Sequence, residues 1–254
     1  MTFALSRGTF ALPKKTTVMT RSRLQSVLFD FNGTLFQDES FHEQAWQVMG
    51  MRHGREILPG EIANQVLGFA NKEILTYLFG PGLTENTVRD LSEEKEQIYR
   101  DLCTAKGPHI ALAPGAETFL NFLTEHRIPR TIATASIRSN VLFFFERFNL
   151  NRWFQFESVA YDDGLLRGKP YPDLYSAAAQ RLGVPTQTSM AIEDSLGGIR
   201  AAASAGVGYI TAVSEENGSS KFAGIQEVDL VISDFSEIDR NLFKPNQSVS
   251  DRLS

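Results

Sequence analysis

The 254-residue chain has one cysteine, four histidines and no long uncharged apolar run. Cys103 alone closes no internal disulfide, and the scattered histidines lack the spacing of a structural zinc site. The longest apolar stretches, such as 141–145, fall far short of the ~20 residues that cross a bilayer, and no signal-peptide core precedes a small-residue cleavage site. These absences argue against membrane spanning and secretion and favour a reducing, cytoplasmic setting. Positive charge is also scarce: the net charge is −5, so neither a nucleic-acid nor a membrane partner is expected. Acids are missing from one region, the segment before Asp30, which carries Arg7, Lys14, Lys15, Arg21 and Arg23. Residues 1–23 are therefore expected to be a disordered extension, with an organellar targeting segment as the alternative for such a composition. Residues 243–254 read as a polar tail.

What is present is 42% hydrophobic and 22% charged residues, enough to bury a sizeable core. Residues 25–31, QSVLFDF, read as a short apolar strand stopped by Asn32-Gly33, a strong turn signal. Apolar residues then recur at helical spacing: Phe41, Ala45, Val48 and Met49; Ile62, Val66 and Leu67; Ile74, Leu75, Leu78 and Phe79. After Pro81-Gly82 a charged helix is expected over 85–100, so residues 38–104 form an all-helical unit. Beyond Pro114-Gly115 helices are predicted at 116–125, 139–148, 172–182 and 196–205. They alternate with strands at 131–135, 158–160, 189–192, 208–213 and 230–232. That alternation implies an α/β, doubly wound parallel core over 24–37 and 105–242, with ligands at the carboxyl ends of the strands.

Four polar clusters follow strand-like runs: Asp30-Phe31-Asn32-Gly33-Thr34, Thr134-Ala135-Ser136, Gly168-Lys169-Pro170 and Glu193-Asp194-Ser195. Together they supply carboxylates for a hard cation, a hydroxyl with helix-start amides for an anion, and a lysine. Phosphoryl transfer uses this set. Asp30 is the candidate nucleophile, its anion attacking phosphorus to give an aspartyl-phosphate that water hydrolyses. An anion approaching an anion needs Mg²⁺, for which Asp194, with Glu193 as a further candidate, completes the carboxylates. Lys169, Thr134 and the amides of Ala135 and Ser136 are candidate partners of the phosphoryl oxygens.

DFNGTL at 30–35, the strand ending in Thr134, GKPYPDLY at 168–175 and IEDSLGGIRAAASAG at 192–206 resemble, in order, the four motifs of the haloacid dehalogenase superfamily. The helical unit at 38–104 resembles its small inserted cap, in the flavour of the β-phosphoglucomutase and sugar-phosphatase group. The resemblance implies a Rossmann-like core, a Mg²⁺-dependent hydrolase of a small phosphorylated molecule, and a monomer or small homo-oligomer. Residue by residue, it implies Asp30 as nucleophile and metal ligand, Thr134 and Lys169 as phosphate binders, Asp194 as metal ligand with Glu193 assisting, and His42 with Trp46 at the cap entrance. Linkers near 36–39 and 106–114 are expected to hinge, so that the cap closes over the phosphate.

One position departs from that pattern. The family's phosphatases and mutases usually carry an acid/base aspartate two residues after the nucleophile, and here Asn32 stands there. Its backbone carbonyl still suits a metal, but its amide neither gives nor takes a proton near neutral pH. Losing a positioned acid/base removes ~10²–10⁴ in rate. Three other readings follow: a phosphonoacetaldehyde-hydrolase-like enzyme using Lys72 in the cap as a Schiff-base lysine, a β-phosphoglucomutase-like mutase, and a phosphate-ligand binding protein. The mutase is disfavoured because Asn71 stands where those relatives place a cap arginine. Asn71 and Lys72 are nonetheless the cap residues expected to face substrate. The blander readings are Trp46 as core, 143–145 as a helix face, Cys103 as an inert thiol, and Arg147, Arg167 and Arg181 as solvated charges. On the sequence alone, Asn32→Asp is expected to raise phosphatase activity by about a decade or more, measured as phosphate release with Mg²⁺.

Overall fold

The computed structural model describes residues 23–58, 61, 71–214, 221–222 and 224–243. The expected leader, the helical spacing at Ile62, Val66 and Leu67, and the polar tail beyond Phe243 lie outside the described residues.

Strands buried on both faces carry near-continuous apolar runs, and those runs form the sheet. β1 (Ser26–Phe29), β2 (Arg130–Ile137), β3 (Ala160–Asp162), β4 (Ser189–Glu193), β5 (Tyr209–Val213) and β6 (Leu230–Ile232) are all parallel, in the order β3-β2-β1-β4-β5-β6. The order reverses between β1 and β4, the switch point where such sheets bind ligands. There Phe29 pairs with Ile192, which brings Asp30 alongside Glu193, and the Asp30 amide donates to the Ile192 carbonyl at 2.9 Å.

Period-2 alternation sends successive residues to opposite faces. On one face Val27, Phe29, Met190 and Ile192 join a large aromatic cluster; on the other Leu28, Ala191, Ile210 and Ala212 join an alanine-rich one. Helices cover both faces. α4 (Ala116–Glu125) and α5 (Arg138–Arg147) supply Phe119, Leu120 and Phe144 to the aromatic side. α6 (Asp173–Leu182) and α7 (Leu196–Ser204) supply Tyr175, Ala178, Ile199 and Ala202 to the other.

Between β1 and α4 the described residues form three helices, α1 (Glu39–Arg52), α2 (Asn71–Phe79) and α3 (Glu85–Ala105). α3 is one turn longer than its sequence suggested, so Cys103 sits buried inside it. Trp46 is buried, as core. Phe144 of the 143–145 run stacks on Phe31 at 4.2 Å between centroids.

Three expectations are corrected. The third strand starts at Ala160 because Phe156–Ser158 closes a 3₁₀ turn ahead of it. β2 runs on through Ile137 and α5 starts at Arg138, so Ala135 and Ser136 lie in a strand end and offer no helix-start amides. Nor are Arg147 and Arg181 simply solvated: their guanidiniums donate to the backbone carbonyls of Gly107 and Val159, whereas Arg167 pairs with Asp173 at the surface.

Phe29 is fully buried and meets the rings of Phe119, Phe154 and Phe235 at 6.1, 5.8 and 6.3 Å. Phe29→Ala is expected to cost about 3–5 kcal/mol of unfolding free energy, read by urea denaturation.

Candidate active site

The turn after β1 places most of the site. Gly33 has φ +73, a left-handed conformation that glycine adopts freely, and a Cβ there would collide with the carboxylate of Asp194. The loop backbone and Asp194 therefore lie against each other, and Thr34 Oγ1 donates to Asp194 Oδ1 at 3.3 Å. Asp194 does not cap α7: Ser195 does, accepting from the Gly198 amide at 3.0 Å. The Asp194 carboxylate thus faces Asp30.

Lys169 brings the carboxylates together. Its ammonium lies 2.5 Å from Asp30 Oδ1 and also pairs with Glu193. Glu193 is wholly buried and saturated. Oε1 accepts from Tyr175 Oη at 2.9 Å as well as from Lys169, and Oε2 takes the Asp194 amide at 3.2 Å, the Ser195 amide at 3.4 Å and Ser195 Oγ at 3.2 Å.

Asp30, Glu193 and Asp194 offer oxygens that all lie within 4.8 Å of one another. Three carboxylates around one buried ammonium leave an excess of negative charge. Burial first, and then the neighbouring carboxylates, push the Asp30 carboxyl well above its ordinary range against the pull of Lys169. The same two causes raise Asp194 to about 7. Lys169 stays an ammonium, since Asp30 and Glu193 outweigh the cost of its burial. A divalent cation fits this oxygen-only, negatively overcharged donor set.

The remaining sequence candidates divide between the end of β2 and the helical insert. Thr134 is buried, and its Oγ1 accepts from the Ser136 amide at 3.1 Å and donates to Asn32 Oδ1 at 3.4 Å; Ser136 Oγ donates to the same oxygen at 2.6 Å. Ala135 is exposed beside them. Asn32 Nδ2 donates to Asp38 Oδ2 at 2.5 Å and lies 3.3 Å from His42 Nε2. His42 is half-buried, stacked on Tyr99 at 4.1 Å. Asn71 is drawn into the insert, donating to Glu96 Oε1 at 2.9 Å, and Lys72 is exposed on the same turn.

Sequence reasoning missed the polar chain behind His42. Lys95 and Glu96 are buried on α3, paired at 2.8 Å, and Lys95 Nζ lies 2.6 Å from His42 Nδ1. Burial works to raise the Glu96 carboxyl, yet Lys95 and its other partners bring it to about 2. Glu96 Oε2 accepts from Asn140 of α5 at 2.6 Å, and Arg100 donates to Ser139 and Asn140 at 3.1 and 2.8 Å. The available signal was positional: Lys95, Ile98, Tyr99 and Leu102 share one stripe of α3, so a charge sat in a core register. Tyr175 was missed too, one turn into the helix that follows Lys169.

A doubly wound parallel sheet with paired aspartates and a lysine at its switch point defines a hydrolase-type α/β enzyme. The chain belongs to the haloacid dehalogenase-like hydrolase family, whose sequence model matches residues 24–206. It is 26% identical over 194 residues to the phosphorylated carbohydrates phosphatase of Thermotoga maritima, covering 75% of this chain and 85% of that protein. It is 29% identical over 218 residues to hexitol phosphatase A of Escherichia coli, covering 85% and 94%. The crystal structure of a HAD hydrolase, family IA, variant 3, from Entamoeba histolytica superposes with a TM-score of 0.80 at 31% identity, covering 87% of this chain and 97% of that one. Among the described residues no helix is long and apolar enough to cross a membrane.

A divalent cation taken up by this donor set would compete with the proton of the Asp194 carboxyl, which burial and Glu193 raise to about 7. Mg²⁺ affinity is expected to fall as pH drops below about 7, and binding at pH 6 to release protons. Calorimetry in two buffers of different ionisation enthalpy measures that release.

Proposed function

We propose that the chain is a Mg²⁺-dependent phosphatase of a small organic phosphate, a phosphorylated sugar, working through an aspartyl-phosphate on Asp30. The observation that carries this reading is the contact of Asp30 Oδ1 with Lys169 Nζ at 2.5 Å, beside Asp194 at the switch point. The names of the phosphorylated carbohydrates and hexitol phosphatases support the substrate class.

In this reading Asp30 attacks phosphorus, its Oδ–P bond forms as the bond to the leaving oxygen breaks, and water then cleaves the acyl phosphate. Lys169 neutralises the phosphoryl oxygens as Asp30 gives up its charge. The hydroxyls of Thr134 and Ser136, both near Asn32, hold the transferred group. Asp30 and Asp194, with the Asn32 backbone carbonyl, would hold Mg²⁺. Glu193, already saturated by five donors, orients Lys169 and the α7 start from behind. When bound, Mg²⁺ supplies the positive charge that lets an anion approach an anion. Asn32 has no proton to pass, so the leaving oxygen takes one from water.

The insert α1–α3 acts as the cap over the phosphate, and its side chains set substrate choice. Lys72 gives a Schiff-base mechanism no support, because an exposed amine lacks the desolvation that makes lysine nucleophilic at neutral pH.

Asp30→Asn is expected to abolish phosphate release while circular dichroism stays native. Residual turnover near wild type would remove Asp30 as nucleophile. A panel of phosphomonoesters assayed with Mg²⁺ is expected to contain at least one sugar phosphate that is hydrolysed, and silence across the whole panel would overturn the phosphatase reading.

A further inference from the structure

Asp38 stands at the N-terminus of α1, where an aspartate ordinarily caps its own helix. Its side chain makes no such cap. Instead the carboxylate, 1% exposed, turns back toward the β1 turn. Oδ1 accepts from the Gly33 amide at 3.1 Å; Oδ2 accepts from Asn32 Nδ2 at 2.5 Å and from Tyr99 Oη, and lies 3.4 Å from His42 Nε2. Burial opposes its charge, but His42, Tyr99 and Asn32 hold the carboxyl below its ordinary value. A buried carboxylate of this kind accepts only, so it needs a donor at position 32. An aspartate at 32 would place a second carboxylate within hydrogen-bond distance of the first.

We propose that Asn32 and Asp38 form a matched donor–acceptor pair, in which Asp38 positions the Asn32 amide and which can be exchanged as a unit but not one member at a time. The geometry around the pair is compatible with exchange. His42 Nε2 is almost equidistant from the two side chains, 3.3 Å from Asn32 Nδ2 and 3.4 Å from Asp38 Oδ2, so it meets one amide and one carboxylate in either arrangement. On the far side, Asn32 Oδ1 is an acceptor for Ser136 and Thr134, a task that a carboxylate oxygen also performs. Gly33 donates to Oδ1 and Tyr99 to Oδ2 of Asp38; an asparagine there would keep its carbonyl oxygen for the Gly33 amide and put its amide in the Oδ2 place, where the Tyr99 hydroxyl turns to accept. The native bond runs from amide 32 to carboxylate 38; in the exchanged pair it would run from amide 38 to carboxylate 32.

This revises the expectation drawn from sequence for Asn32→Asp alone. The single variant brings two buried carboxylates together, and the one proton they then share is held by Asp38 as much as by position 32, whereas Asn32→Asp with Asp38→Asn gives position 32 a carboxylate with its own donor in place. The turnover consequence rests on the phosphatase reading above; the pairing itself does not.

The experiment is a double-mutant cycle of wild type, N32D, D38N and N32D/D38N, followed by thermal unfolding without substrate. N32D is expected to lower the midpoint by about 5 °C or to be insoluble, and the exchanged variant to recover at least half of that loss. An N32D protein as stable as wild type, or an exchanged protein no more stable than N32D, would overturn the pair. In parallel, hydrolysis of p-nitrophenyl phosphate with Mg²⁺ is expected to be at least ~10-fold faster in the exchanged variant than in N32D and in wild type. Stability rescue without faster hydrolysis would confirm the pair and count against the phosphatase reading, so the two failures are separable.

Discussion

The ammonium of Lys169 is the hinge of the electrostatics. Without it Asp30, Glu193 and Asp194 would share a largely buried pocket with no nearby buried counter-charge, a state folding tolerates poorly. With it, two of the three are tied to one cation, and the third keeps a proton up to about neutral pH. Everything around this bridge keeps it in place. Tyr175 holds Glu193 from below, the α7 start fills the other Glu193 oxygen, and Gly33 lets the β1 turn lie against Asp194. Asp30 follows β1, Glu193 and Asp194 lie at the end of β4, and Lys169 comes from the loop between β3 and α6, which is why the bridge forms only when the sheet has formed.

A second polar system joins the helical insert to that sheet. It runs from Asn140 through Glu96, Lys95 and His42 to Asp38 and Asn32. Each member is bonded on at least two sides, so the network can sit in the interior without orphaned charge. Its ends are the start of α5, which follows the strand carrying the hydroxyls of Thr134 and Ser136, and the turn that follows the candidate nucleophile. Insert and core are thereby registered to each other through directional bonds, in addition to the apolar contact of Phe36 with Phe41 and Phe148.

The sheet was readable from residues because parallel strands buried on both faces carry unbroken apolar runs, and β1, β4, β5 and β6 all do. The clusters at the ends of β1 and β4 were readable because polar residues there have few roles other than a turn or a site, whereas Thr134–Ser136 lies inside β2 and Lys169 in the loop between β3 and α6. Asp38, Lys95, Glu96 and Tyr99 were not. On a linear view they are charges at or on helices and a helix aromatic, indistinguishable from a solvated face, and only tertiary packing joins them into the network that reaches Asn32 through Asp38 and His42. β3 was placed early because Ser158 and Val159 look strand-like, but the local 3₁₀ turn satisfies that backbone first.

The two faces of the sheet differ in grain. Phenylalanine rings fill one side, while alanines at 133, 160, 178, 179, 191, 201, 202 and 212 line the other, so α6 and α7 can ride close to the strands. Damage by substitution should then be of opposite kinds on the two sides. Trimming a residue hollows the aromatic layer, whereas even one added methylene jams the alanine layer. Lys169 and Asp194 are carried just before α6 and α7, so the thin layer also acts as a spacer, setting how far the lysine and the second aspartate stand from Asp30. Enlarging an alanine there would be felt at the candidate catalytic carboxylates without any residue of the site having changed.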